Sequence, residues 1–443
     1  MGFFNRIFGY GDVDDPQPDI SFGRYSDSYK TSLNYTAWDD ALEHFENENY
    51  LECFKQFFKF LRDDNEDNVK YWEEDGALQF ELYQGSKKIT GFANDKRLKA
   101  EAKIAKTAEF NVGFMRRLME QNYDLEYSRF ALDENNNLSI VFDTYSLDGS
   151  PYKLYYALKE VATNADKQDD LLLDEFKVLT PVDTSHLTAL PVDEKEIKYN
   201  FIVQEINHAY DLIDNGKLEV DQYPGAIAYL LLNLVYKLDY LIKPEGYMME
   251  TLERANRLYF AKDGQNTIQK IQVLRKELQK LLDRPKESYF KEMYRVISTF
   301  GITAPVNHDR IVTLINNDLY NMDWYQDNGH HAIALSIPGY IVGYCMFNYA
   351  VPKPARDLFH LYYKITESSF FQRLGFENIF YDHTTEKFNR RAIRRAIEHI
   401  VANNKQQYGK CYPNTNSLKY DSLLDFAKSY LNMVKNLDMT KID

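Results

Sequence analysis

The chain has 443 residues, 44% of them apolar and 15% aromatic, with a formal net charge of −14. That length exceeds what one core usually serves and the apolar content is ample for burial, so two or three domains are expected and wholesale disorder is excluded. Residues 1–190 carry 36 acidic and 21 basic side chains and the remainder 31 and 32, so the first half disfavours a nucleic-acid backbone and suits a soluble or basic partner.

Residues 1–33, rich in Gly, Asp, Pro and Ser, read as an extended arm in which Phe3, Phe4, Ile7 and Phe8 can form one apolar helical turn. Helical spacing begins at Thr36, a candidate N-cap, and continues through Trp38, Ala41, Leu42, Phe45, Phe54, Phe57, Phe58 and Leu61. Asn47 to Asn49 can divide it, and the run Asp63 to Asp67 ends it. Three strands follow: one around Leu78, Phe80 and Leu82, one over Lys87 to Phe92, and one around Leu98, Ala100, Ala102 and Ile104. A helix marked by Phe110, Phe114, Met115, Leu118 and Met119 leads to two further strands, Leu125 to Leu132 and Leu138 to Thr144. Arg116 and Arg117 are expected to flank the buried stripe of that helix. Ser150 then caps a long helix with Pro151 at its first position, carrying the stripe Leu154, Leu158, Val161, Ala165, Leu172, Phe176 and Leu179.

The expected order is therefore α-β-β-β-α-β-β-α over residues 34–180, an α+β domain with an antiparallel sheet and helices, followed by a linker at 181–194. Residues 195–443 read as an all-α irregular helical domain, with helices near 195–214, 224–242, 246–261, 266–283, 286–299, 306–321, 331–348, 355–372, 385–404 and 418–436. The most apolar stretch, Ala226 to Ile242, is interrupted by Asn233, Lys237 and Asp239, so it predicts a buried helix and no membrane span. Cys53, Cys345 and Cys411 lie far apart without metal spacing, which suits reduced structural thiols and a cytoplasmic setting. The apolar start is soon followed by Asp12, Asp14 and Asp15 with no secretory cleavage pattern, and Arg6 stands where myristoylation needs Ser or Thr.

That α+β order resembles the YbjN and type III secretion chaperone-like fold. The resemblance is topological, covers about a third of the chain and leaves the helical domain unexplained. It implies an acidic, non-enzymatic protein that commonly dimerises and holds extended segments of partner proteins on sheet and helix surfaces. The attached helical domain departs from the free-standing chaperones.

Two charged clusters stand out. Asp166, Asp170 and Asp174 stack at four-residue spacing on the long helix, with Asp169 beside them. This face reads as a plain or interdomain surface, with a basic partner or a hard cation as alternatives. Like charges toward a helix C-terminus are unfavourable, and basic residues of the second domain can offset them. Arg390, Arg391, Arg394 and Arg395 form a basic helical patch, read as solvated surface, with contact to an acidic protein surface, the acidic first half included, and then nucleic acid as alternatives. His330 and His331 point about 100° apart on a helix and cannot chelate one ion together. His383 lacks any accompanying catalytic motif, and no phosphate-binding glycine loop is present. No cofactor or metal site is expected. The leading expectation is a non-enzymatic adaptor or chaperone-like protein whose partner is another protein, homodimerisation being open. The alternatives are a structural or regulatory component of a larger bacterial assembly, and an enzyme with an unfamiliar site at the domain junction, which a polar pocket joining the two charged clusters would favour.

Overall fold

The computed structural model describes residues 17–109, 112–377 and 379–442, apart from the side chain of Asp174; the expected apolar turn at Phe3 to Phe8, and Phe110, lie outside them. Helices α1 (Ser32–Glu46) and α2 (Tyr50–Leu61) pair ahead of the sheet. The first helix starts one turn earlier than Thr36. Thr31 and Asn34 make a reciprocal capping box, and Asn34 Nδ2 also donates to the carbonyls of Phe60 and Arg62, so one residue ties the start of α1 to the end of α2.

Among the described residues the sheet has seven strands: β1 (Val69–Glu74), β2 (Ala77–Gln84), β3 (Lys87–Ala93), β4 (Arg97–Thr107), β5 (Arg129–Leu132), β6 (Asn137–Tyr145) and β7 (Leu179–Pro181). They run in the order β1-β2-β3-β4-β6-β5 with β7 paired to β4, all antiparallel. The alternating residues Leu78, Phe80 and Leu82 of β2 and Leu98, Ala100, Ala102 and Ile104 of β4 are all buried, as a one-sided sheet requires. They meet α2, whose Phe58 ring lies 4.5 Å from that of Phe80, and α4 (Pro151–Glu175), which crosses β2, β3, β4 and β6. Helix α3 (Val112–Asp124) packs on β5. Two of these strands stand outside the expected order. In β1 only Val69 is fully buried, so the strand carries almost no alternation, and β7 has three residues. The expected strand 125–132 shortens to β5 because the amides of Glu126, Tyr127 and Ser128 donate instead to the Glu160 carboxylate on α4, at 2.8, 2.9 and 2.7 Å.

The rest of the chain is mostly helical: α5 (Val192–Asp214), α6 (Pro224–Ile242), α7 (Gly246–Phe260), α8 (Thr267–Asp283), α9 (Lys286–Glu292), α10 (His308–Asp318), α11 (Asn321–Asp327), α12 (His331–Asn348), α13 (Lys353–Thr366), α14 (Ser368–Arg373), α15 (Arg390–Asn404) and α16 (Leu423–Lys435). Helix α6 is long and apolar enough to cross a membrane by length and composition, and it is largely buried against α12 and its neighbours. A Cβ at Gly343 of α12 would stand 2.5 Å from the Tyr236 Cβ, so the two helices approach as they do only because Gly343 has no side chain.

One expected helix, 286–299, ends at Glu292. The residues after it run extended, with Arg295 donating to the Thr188 carbonyl at 2.7 Å and Gly85 donating to the Ile297 carbonyl at 2.8 Å. The Thr299 and Phe300 amides both donate to Gln84 Oε1, at 3.1 and 3.0 Å, and the Phe300 ring enters the core of the sheet half. The arm makes the reverse exchange. Phe22 packs in the helical core with its ring 4.9 Å from Phe371 and 5.9 Å from Phe376, and the Gly23 amide donates to the Tyr240 carbonyl. Arg24 grips Asp239 with two nitrogens, at 3.0 and 2.8 Å, and reaches Glu253 at 3.2 Å.

Truncating the arm's anchor, Phe22→Ala, is expected to lower stability by about 3–5 kcal/mol and to raise hydrogen exchange along residues 17–30. Chemical denaturation and exchange mass spectrometry measure the two effects.

Candidate functional site

The acidic face of α4 lies inside the junction between the sheet half and the helical half. Asp166 accepts the Ser86 amide at 2.7 Å. Asp169 accepts the Ser86 hydroxyl at 2.9 Å and pairs with Lys87 Nζ at 2.6 Å. Lys87 opens β3 and is itself buried, with a further bond of 3.2 Å to the Ile104 carbonyl. The offset that the acidic run requires thus comes first from the sheet half itself. Lys167, on the next face of α4, does cross the junction, reaching Glu250 at 2.8 Å and Glu253 at 3.6 Å on α7.

Asp170 faces the helical half. A Cβ at Gly246, the first residue of α7, would stand 2.8 Å from Asp170 Oδ2 and 2.9 Å from the Glu292 carboxyl carbon, and this glycine has φ +58°. Oδ2 of Asp170 is buried without a hydrogen-bond partner among the described residues. Burial and the charge of Asp169 push the Asp166 carboxyl up to about 7. Burial, with Asp169, Glu292 and Asp166 around it, holds Asp170 well above the usual carboxylate range, and burial does the same to Glu245. For Asp169, burial outweighs the attraction of Lys87 and the net shift is also upward. The cluster is suited to holding protons. The side chain of the expected fourth member, Asp174, lies outside the described residues.

Arg390, Arg391, Arg394 and Arg395 are all exposed, in the first two turns of α15. Cations there oppose the helix dipole, and part of the offset is aromatic, since Arg390 lies over the Tyr420 ring at 4.9 Å. None of the four lines either cavity at the junction, so the two charged clusters do not form one site there. His330 stacks on Trp324, and His383 lies edge-on to Tyr381 at 4.9 Å.

Helix α3 departs from the sequence reading. Phe114 and Leu118 are buried, whereas Met115 and Met119, expected beside them, face outward. Val112, Met115, Met119 and Tyr123 are 85%, 38%, 72% and 91% exposed. At about 100° per residue they share a sector of about 80°, on a face distinct from that of Phe114 and Leu118. The signal is present in the sequence as apolar residues at helical spacing, and a second apolar face on the same helix masks it. Ser86, Lys87, Glu245 and Glu292 carry no such signal, because nothing local marks residues so distant in sequence as neighbours of α4.

No protein-family model matches the chain, and no curated protein is similar to it.

The raised carboxyls give the junction a pH signature. The folded state keeps protons that the unfolded chain releases near pH 4, so this contribution to stability is complete below that pH and is lost as pH rises through the folded values, toward about 7 for Asp166. Asp170→Asn removes one such charge and is expected to stabilise the protein at about pH 8 by roughly 1–2 kcal/mol, with little effect at about pH 4. Melting temperatures of the two proteins across that range measure the difference.

Proposed function

We propose that this protein is a polypeptide-binding adaptor of the chaperone-like kind, and that the outer face of α3 is where its partner docks. The observation that carries this reading is the apolar stripe of Val112, Met115, Met119 and Tyr123, exposed on a helix whose other apolar face already serves the core. Exposed methionines beside an aromatic suit a polypeptide surface, because the thioether adapts to irregular partners. The net negative charge of residues 1–190 favours a segment that combines apolar anchors with basic residues. The resemblance of the expected strand and helix order to the YbjN and type III secretion chaperone-like fold, an order from which β1 and β7 depart, supports the same reading, since those proteins hold partner segments on sheet and helix surfaces. The partner is therefore an amphipathic, basic stretch of another chain, and no chemistry is required of the adaptor.

A photo-crosslinking residue placed at Met119 or Tyr123, with Arg391 as an exposed control site, tests this in the native cells. A defined adduct with a basic, apolar segment is expected from the two α3 sites and not from the control. With the crosslinker at Tyr123, the double variant Val112→Asp, Met119→Asp should abolish the adduct while shifting stability by no more than about 1 kcal/mol, since both positions are on the surface. Adducts with a second copy of this chain would make the face a dimer contact, and equal yields at all three sites would remove the reading.

A further inference from the structure

A cavity of about 250 Å³ opens where the arm, the loop after α2, the extended segment after α9 and the start of α13 meet. Its walls include Tyr25, Tyr29 and Tyr240. Two cations, Lys353 and Arg356, line it from the first four residues of α13. That helix has no acidic residue in its first turn, so both charges add to the positive end of its dipole. Among the described residues neither side chain makes an ion pair or a hydrogen bond, and the Arg356 guanidinium lies over the face of Tyr29, 5.2 Å from the ring centroid.

Three further residues on the same walls carry buried, unsatisfied groups. Gln17 is 6% exposed, and among the described residues neither its amide oxygen nor its amide nitrogen has a partner. Among the same residues the Tyr294 hydroxyl is buried without one, and so is Oδ1 of Asp357, a residue 3% exposed whose other oxygen accepts from Asn404 at 3.0 Å. Buried polar groups in folded proteins are nearly always bonded to protein, water or ligand, so these groups are available to the polar atoms of a molecule in the cavity.

The other charges on the walls show what sign that ligand has. Glu194 is held by Lys198 at 2.8 Å and Asp19 by Arg295 at 2.8 Å. Asp63 accepts from the Tyr25 hydroxyl at 3.3 Å, and Glu292 pairs with Arg284. Lys243 donates to the Ser21 hydroxyl at 3.0 Å, a neutral partner. Burial holds Glu245 and Asp357 toward their neutral forms. Glu66 faces Lys243, Arg295 and Arg356, Asp63 stands near it bonded only to neutral donors, and neither carboxylate forms an ion pair with a cation of the cavity among the described residues. Against those two carboxylates stand three cations without an acidic partner among the described residues, Lys243, Lys353 and Arg356, and the neutral groups include two unbonded donors, the Gln17 amide and the Tyr294 hydroxyl.

We infer that this cavity binds a small molecule through a phosphate or carboxylate group, with Arg356 forking two of its oxygens, Lys353 adding a point charge, and the tyrosine rings holding the rest of the molecule. A guanidinium fork matches the oxygens of either anion, and the aromatic walls supply apolar contact for an organic body. The inference is independent of the α3 docking face, which shares no residue with the cavity.

Isothermal titration of the full chain with pyrophosphate and with citrate, at matched ionic strength against chloride, tests it. Saturable binding of at least one probe is expected, and preference between the two distinguishes a phosphoryl from a carboxylate ligand. Arg356→Met should weaken that binding roughly 10- to 100-fold, as loss of a charge-assisted pair implies. Arg356→Lys should retain part of it, and Arg391→Met on the exposed patch should leave it unchanged. If Arg356→Met does not fold, Lys353→Met at the cavity wall is expected to weaken binding in its place. Absence of saturable binding by both probes, or equal binding by the folded cavity variant and the unaltered protein, overturns the assignment.

Discussion

Three carboxylates within two turns of α4 enter a region that already holds Glu245 and Glu292, and the handling of their charge governs how the two halves meet. Lys87 takes Asp169, the Ser86 amide and hydroxyl bond Asp166 and Asp169, and burial raises the proton affinity of Asp166 and Asp170. These contacts locate the turn between β2 and β3. Gly85 sits in that turn at φ +53°, where a Cβ would fall 1.9 Å from Asp166 Oδ1, and its amide donates to the Ile297 carbonyl. A single tight turn is therefore the place where the sheet, the long helix and the segment returning from the helical half come together. A charge placed this deep is tolerable only when each oxygen is bonded or protonated, so the geometry of the turn leaves little freedom.

The two halves are further locked by an exchange of aromatic anchors. Phe22 leaves the arm for the helical core and Phe300 leaves the helical half for the core of the sheet half. Arg24 adds a buried two-nitrogen grip on Asp239, with its guanidinium 3.8 Å from the Phe347 ring centroid. The same exchange builds the cavity, whose walls come from the arm, both halves and the segment between them. The strand order then separates the two candidate binding places. β3, which carries Lys87, lies in the middle of the sheet beside the junction, while β5, on which α3 packs, forms one edge. A partner on α3 and a ligand in the cavity can thus be accommodated without competing for the same surface.

Much of the architecture is legible from pattern. Period alone yields an antiparallel sheet with helices followed by a mostly helical region, and Ser150 with Pro151 locates the start of α4 to the residue. The rest is decided by contacts remote in sequence. β1 is an edge strand bearing Lys70, Glu73 and Glu74, with side chains exposed on both faces, so it shows no alternation to read. The helical period from 286 to 299 is genuine in composition, yet beyond Glu292 the bonds gained against Thr188, Leu190, Gly85 and Gln84 replace those of a helix. The acidic face of α4 resembles a solvated surface in sequence because Lys87, its counter-charge, reads locally as an ordinary strand lysine.

The sequence by itself determined the elements whose stability is local: caps, alternating strands, amphipathic helices and the change from mixed to helical period near residue 180. Those depend on neighbours within a few positions, and the residues concerned record them directly. Only the tertiary structure decided which charges are buried, which of the two apolar faces of α3 meets solvent, and that Arg356, Gln17 and Tyr294 line one cavity. Each of those outcomes rests on groups brought together from distant parts of the chain, where desolvation and the supply of bonding partners depend on the whole fold rather than on any stretch of it.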